Sequence, residues 1–311
     1  MTERRIRPTR LQDRLVGFFV VLLMAVQLVS FLFIRYAIGH TAQKTMREEL
    51  RVGSRVLKHN LDQNNRQLAG ATSILTYDFG FRESIATRDR ATILSTLRNH
   101  AARVNASGMA VIGLDGVVVA DTLQDGTAGN AYPFPNLVAR AGQLGRASGV
   151  RVIGAKPYQI VVVPVLAPLP IAWVSMSFVI DDATARDLQA VTTSDVSFVQ
   201  VAGGEARILA TTLGSLRRAQ LAAAAGEVIA TAREGRTVRL GEDDYEVLAT
   251  PLEDAGRVPI YAIVQRSSAD GLAAYFLLEA ALLVIASLSL AVTLAPAMRR
   301  ARAATWTAWS S

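Results

Sequence analysis

Three histidines, His40, His59 and His100, are the side chains best suited to move a proton or hold a metal near neutral pH. They stand far apart on stretches with helical periodicity, and none has a second ligand-type residue at metal-binding spacing, so metal ligation is not expected. The acidic run Glu242, Asp243 and Asp244 lies between two apolar strand-like runs and reads as a solvated hairpin turn rather than an acid pair. Gly203 and Gly204 lack the strand-to-helix setting of a phosphate loop and also read as a turn. Cysteine is absent, which excludes disulfides, thiol catalysis and thiolate metal sites. With no nucleophile and base, carboxylate pair or ligand set in view, the expectation is a protein that is not an enzyme and uses no cofactor.

The elements that frame these residues begin with two long apolar blocks. Residues 15–34, LVGFFVVLLMAVQLVSFLFI, are long enough as a helix to cross the roughly 30 Å hydrocarbon layer of a bilayer. A signal peptide would share the basic start, but the run is too long for one, and Arg35 and Tyr36 follow directly in place of a small-residue cleavage site. Residues 272–295 form the second block, with one charge, Glu279, read as lying near the interface or facing the other helix. Arg4, Arg5, Arg7, Arg10 and Arg14 outweigh Glu3 and Asp13 before the first block, and Arg299, Arg300 and Arg302 follow the second with no acid. Such flanks stay cytoplasmic. The expected localisation is therefore a bacterial inner membrane, crossed twice, with both termini cytoplasmic and residues 36–270 periplasmic. The same flanks carry nearly all of the net charge of +7, so no basic patch is left to bind nucleic acid.

Between the blocks, Leu50, Leu57, Leu61, Leu68, Ala71 and Leu75 keep heptad spacing, with Ser54 and Asn64 in the remaining seam positions. This predicts one long helix continuing out of the membrane, its seam either packed on its own domain or forming a homodimer. A second helix is expected over 89–104, then a hairpin, MAVIGL and VVVA, closed by Asp115 and Gly116. MAVIGLDG at Met109 returns as VSFVQVAG at Val196, 87 positions later, and at the same offset YQIVVVPV from Tyr158 returns as YEVLATPL from Tyr245. A third pair, from Ile171 and Ile260, recurs at 89. Each copy is thus a hairpin, a helix (135–144 and 215–225) and further strands, with a connecting helix over 181–191. The predicted class is α+β, with antiparallel sheets and helices.

A long helix from the membrane, two tandem five-stranded modules and a return to the membrane resemble the extracytoplasmic double Cache (double sensory) region of bacterial sensors. The stretch DFGFRESIATRDRATILSTLRNHAARVNASGMAVIGLDGVVVADT is similar to the double sensory region ahead of cyclic-di-GMP turnover enzymes, and Pro296, Arg299 and Arg300 resemble the opening of a HAMP linker. The resemblance covers about residues 40–270. It implies two Cache/PAS-like modules on a long N-terminal helix, flanked by two transmembrane helices. The expected divisions are a cytoplasmic start (1–14), a span (15–34), a helical region (36–107), a membrane-distal module (108–180), a membrane-proximal module (181–270), a second span (272–295) and a short tail (296–311). The implied function is signal transduction by a small-molecule sensor acting across the membrane. The sequence to Ser311 carries no cyclase, phosphodiesterase or kinase motif. The output is therefore expected to be lost, cut away or supplied by a partner, the alternative being a periplasmic binding or scaffold module without output.

For such a sensor the resemblance places the pocket in the first copy. Asp78 and Arg82 flank Phe79 and Phe81, while Arg98, His100, Asp121 and Tyr158 fall on the helix and strands that would wall it. These six are the candidate ligand contacts. The expected partners are an unidentified small molecule, the lipid bilayer and a second copy of the chain through the long helix.

Overall fold

The structure, a computed structural model, describes residues 9–124, 126–203, 205–232, 235–252, 258–269 and scattered positions between 280 and 291. The chain divides into two compact units, Met1–Met46 with Ser268–Ser311, and Arg47–Ser267. Helix α1 (Thr9–Thr76) supplies the N-terminal part of both. In the first unit it presents Phe18, Phe19, Leu28 and Phe33 to the outside, and it is the one helix among the described residues long and apolar enough to cross a membrane. The described positions between 280 and 291 are helical, and the Gln27 side-chain amide donates to the Ser289 hydroxyl. Glu279, Pro296 and the rest of the tail lie outside the described residues.

The second unit holds two modules of one design. After α2 (Phe79–Ala86) and α3 (Arg90–Arg103), the first module comprises β1 (Gly108–Ile112), β2 (Val118–Asp121), α4 (Pro135–Leu144), β3 (Ala147–Ile153), β4 (Lys156–Leu166) and β5 (Pro170–Val179). Helix α5 (Asp182–Thr192) leads to β6 (Asp195–Ala202), β7 (Glu205–Thr211), α6 (Ser215–Thr231), β8 (Arg236–Leu240), β9 (Asp243–Pro251) and β10 (Ile260–Ser267). The antiparallel sheets run β2-β1-β5-β4-β3 and β7-β6-β10-β9-β8, so the sequence repeat is a repeat of topology. Local chemistry sets the boundaries. Asp78, Asp89 and Asp181 cap α2, α3 and α5 by accepting from the backbone N–H of Phe81, Thr92 and Thr184. Asp115 accepts from Val117 N–H while Gly116, at φ 79°, closes the β1–β2 hairpin. The acidic run marks the β8–β9 turn, where Asp243 meets Arg217 at 2.9 Å and Asp244 meets Arg239 at 3.8 Å, all exposed.

Residues 47–76 of α1 cross both sheets. Leu50, Leu57 and Leu61 are buried with Phe198, Leu248 and Val264 of the second module and Val150 of the first. Further along, Ala69, with Leu68 and Leu75, packs among Phe81, Val161 and Met176. Of the two readings of the heptad seam, its own domain takes these leucines. The polar seam positions are also occupied: Ser54 Oγ lies 2.7 Å from Thr250 Oγ1, and Asn64 Nδ2 donates to Gln159 Oε1 at 3.0 Å. Helix α2, which no periodicity in the sequence announces, fills the turn between α1 and α3 with Phe81 and Ile85.

At the start of this unit Arg47 donates from Nε to Glu246 Oε2 at 3.1 Å, and Thr237 Oγ1 donates to the other oxygen. Glu246 is wholly buried, whereas the Arg47 side chain is 43% exposed. The pair should therefore respond asymmetrically. Arg47→Ala strands a buried carboxylate and is expected to destabilise the protein by about 3–5 kcal/mol. Glu246→Gln leaves an arginine that reaches water and an amide oxygen that still accepts from Thr237, so its effect is smaller. Urea unfolding of the two variants checks the order.

Candidate functional site

Residues alternate between the faces of a strand, and in the first module the two faces differ in character. The face toward α1, α2 and α3 is hydrocarbon over most of its area, with Met109, Val111, Val161, Val163, Val174 and Met176, and the polar Gln159 on it is hydrogen-bonded to α1. The opposite face, under α4, has an apolar floor of Ile112, Ile160, Val162, Leu137 and Ala141 but also carries polar groups. Arg151 of β3 is only 3% exposed, and register sets it opposite Tyr158 of β4. Ser175 of β5, 2% exposed, stands opposite Ala110 and Val162. Tyr132 comes from the irregular segment between β2 and α4, held by its N–H donating to Gly116 O at 2.9 Å and by a bridge between Val117 and Ala131.

These groups form a connected set. Tyr132 Oη lies 2.9 Å from Ser175 Oγ, its ring meets Phe134 edge-on at 5.6 Å, and the Arg151 guanidinium sits 5.9 Å from the centre of the Phe134 ring. Burial pushes the Tyr132 phenol up to about 12; the Ser175 hydrogen bond and the Arg151 charge pull it down, and Asp121 pushes it further up. Asp121 thus acts on Tyr132 while its carboxylate orders the adjoining turn, accepting from Leu123 N–H at 2.7 Å and Thr127 Oγ1 at 3.3 Å. Arginine, tyrosine and serine beside aromatic rings offer hydrogen-bond donors and stacking surface, which suits reversible binding of a small polar molecule. Among the described residues no three His, Cys, Asp or Glu side chains converge.

The equivalent face of the second module is built differently: its buried polar groups are Gln265, which donates to Ser197 Oγ at 2.9 Å, and Thr211, whose Oγ1 lies 2.6 Å from Ser197 Oγ, while the positions of Arg151 and Ser175 are aliphatic. Val238 takes the place of Arg151, opposite Tyr245 in place of Tyr158, and Ile263 takes the place of Ser175. Both belong to an apolar cluster under α6. The fold therefore does not require Arg151 or Ser175 at those positions.

The six residues singled out from sequence divide between the two faces. Asp121 and Tyr158 belong with the set under α4, Tyr158 packed among Ile160, Leu137 and Ala141. Asp78, Arg82, Arg98 and His100 lie on or beside α2 and α3. Asp78 is the exposed cap of α2, Arg82 Nη1 donates to Leu166 O at 3.4 Å, and Arg98 is exposed. His100 meets the Phe81 ring edge-on at 5.4 Å, and its pKa is lowered by burial and Arg103 against the opposing pull of Asp78. Sequence reading did not find Arg151, Tyr132, Phe134 or Ser175. The signal that could have found the first is the repeat itself, because at an offset of 87 the arginine of VRVI faces the second valine-containing run, at Val238.

Two tandem αβ modules sharing a long helix, one of them with a polar site beneath its helix, define a sensory domain. The sequence profile described as "Double sensory domain of two-component sensor kinase" matches residues 43–265, and the chain belongs to this double Cache family. No curated protein matches the sequence. Among solved structures, the extracellular domain assigned to a histidine kinase, vpHK1S-Z8, aligns over 78% of this chain and 96% of its own at 9% identity, with a TM-score of 0.50, which shows the shared fold. The sensor domain of the Vibrio cholerae histidine kinase DctB aligns over 72% and 98% at 13% identity, TM-score 0.45. The ligand-binding domain of the Pseudomonas fluorescens chemoreceptor CtaA, solved with L-serine, aligns over 73% and 98% at 13% identity, TM-score 0.44.

Tyr132 yields a pH prediction. An unfolded tyrosine ionises near 10, and the folded phenol holds its proton to about 12. The resulting stabilisation is complete below pH 10 and is lost as pH rises from about 10 to about 12, amounting to roughly 2–3 kcal/mol. Tyr132→Phe is expected to flatten the fall in urea midpoint across that window.

Proposed function

We propose that this chain is the sensing part of a two-pass membrane receptor, in which a small molecule binds beside Arg151 and Ser175, in contact with Tyr132 and Phe134, and shifts α1. The observation that carries this reading is the divergence of the two modules at matched positions: one topology, with Arg151 and Ser175 in the first and Val238 and Ile263 in the second. Burying a guanidinium in the first is expensive, and its place in the second shows that an aliphatic residue serves the fold. The role is recognition rather than catalysis.

The route from site to membrane follows β4. Neighbouring residues on a strand face opposite ways, so Tyr158 lies on the site face while Gln159 holds Asn64 and Asn65 of α1. Movement of β4 on ligand binding therefore bears on α1, and differential affinity for two positions of α1 is what a signal requires. Residues 108–180 are the membrane-distal module, 181–270 the membrane-proximal one, and 15–34 and 272–295 the spans, with both ends cytoplasmic. Support comes from the Arg-rich flanks and from the hydrogen bond of Gln27 to Ser289, a polar link of the kind that joins helices in lipid. A second copy would meet α1 on its outer face, at Val52 and Val56, because the leucine seam is already buried.

A thermal-shift screen of the full chain in nanodiscs against polar metabolites tests the site. A compound that raises the wild-type midpoint is expected to leave Arg151→Ala unmoved, and Arg151→Lys not to restore the response because an ammonium lacks the planar fork. Hits that act equally on wild type and Arg151→Ala would refute the assignment.

A further inference from the structure

We infer that four charged side chains clamp together the two segments through which the chain leaves the second unit, α1 and β10. Arg47 is the first residue of that unit and Ser267 the last, so the chain passes out of it beside Arg47 and Glu49 in one segment and beside Arg266 in the other. Arg47 Nε donates to Glu246 Oε2 at 3.1 Å and its Nη2 to Oε1 at 3.4 Å, while Arg266 Nη1 donates to Glu49 Oε2. The register of β9 and β10 sets Glu246 directly opposite Arg266. Each stands two residues from a core side chain of the face toward α1, Leu248 and Val264. The sheet therefore offers an acid and a base side by side.

Helix α1 meets this couple from both flanks. Successive helical residues turn by about 100°, so Arg47 and Glu49 stand on opposite sides of Leu50, which is buried against the sheet. One flank reaches β9 and the other β10. Rolling the helix toward either strand stretches one pair, and carrying Arg47 across to β10 would set guanidinium against guanidinium. The two pairs differ in strength. Glu246 is wholly buried, which makes its pair with Arg47 the fixed point. Arg266 and Glu49 are 31% and 47% exposed, and an ion pair that open to water is weak and screened by salt. It is the arm that yields first. While it is closed, the start of α1 and the end of β10 open together; once it is open, each is held by its own contacts alone. What the clamp transmits depends on the sensory reading above, but the clamp itself does not.

Hydrogen exchange followed by mass spectrometry, on the full chain in nanodiscs, tests the clamp without a ligand. Glu49→Gln and Arg266→Gln are each expected to speed exchange about two- to fivefold both at the start of α1 in this unit (47–53) and at the end of β10 (264–267), the range an exposed pair contributes. The double variant is expected to exchange no faster than either single one. Sodium chloride at about 0.5 M should speed wild type by a similar factor and leave the double variant unchanged. An effect confined to the element that carries the substitution, additive effects in the double variant, or a wild type indifferent to salt would overturn the inference. A ligand screen in which no compound depends on Arg151 would count against the sensory reading and leave these outcomes as they are.

Discussion

A sheet that is apolar on both faces needs a cover on each, and one helix is shared between two such sheets here. In the first module α4 covers one face, and α2, α3 and the end of α1 the other. In the second, α6 covers one face, and α1 with α5 the other. Leu50, Leu57, Leu61 and Ala69 of α1 are all nearly inaccessible to solvent. Fully burying a leucine contributes roughly 1.5–3 kcal/mol, so the three leucines alone supply an amount comparable to the whole net stability of a typical domain, about 5–15 kcal/mol. Neither module has a complete core without this helix.

Hydrocarbon packing alone would let a helix slide by a turn at small penalty. The polar contacts remove that freedom. Arg47 reaches Glu246, Ser54 reaches Thr250, Asn64 and Asn65 hold Gln159, and Thr72 meets Met176 Sδ at 3.1 Å. Glu246 and Gln159 are buried, so a shift in register would strand polar groups away from water. A helix fixed in this way moves only by exchanging one set of partners for another.

Much of this was legible from sequence because it depends on period. The heptad spacing, the 87-residue repeat, the Asp-Gly hairpin and helices α3, α4 and α5 all follow from local pattern. Periodicity ends α6 at 225, short of Thr231, since its later residues, Val228 and Ile229, continue a face that the alanine run before them leaves indistinct. The destination of the seam was open because Leu50, Leu57 and Leu61 would serve a partner helix as well as a sheet. The polar set was hidden for a different reason. Arg151 and Ser175 sit on strands whose other residues are apolar save Ser148 and Ser177, and Tyr132 lies in irregular chain. Only the strand order, which puts β5 between β1 and β4, brings them together. Asp78 carries the same carboxylate as Asp121, yet it caps a helix on the other side of the sheet.

The central claim, that one helix makes the two modules a single cooperative body, is tested most directly by native-state hydrogen exchange on the full chain. The slowest amides of β4 and β5 and those of β9 and β10 should share one opening free energy, and Leu57→Ala should lower both sets together by about 2–5 kcal/mol. Two separate opening energies, with Leu57→Ala lowering only that of β9 and β10, would contradict it.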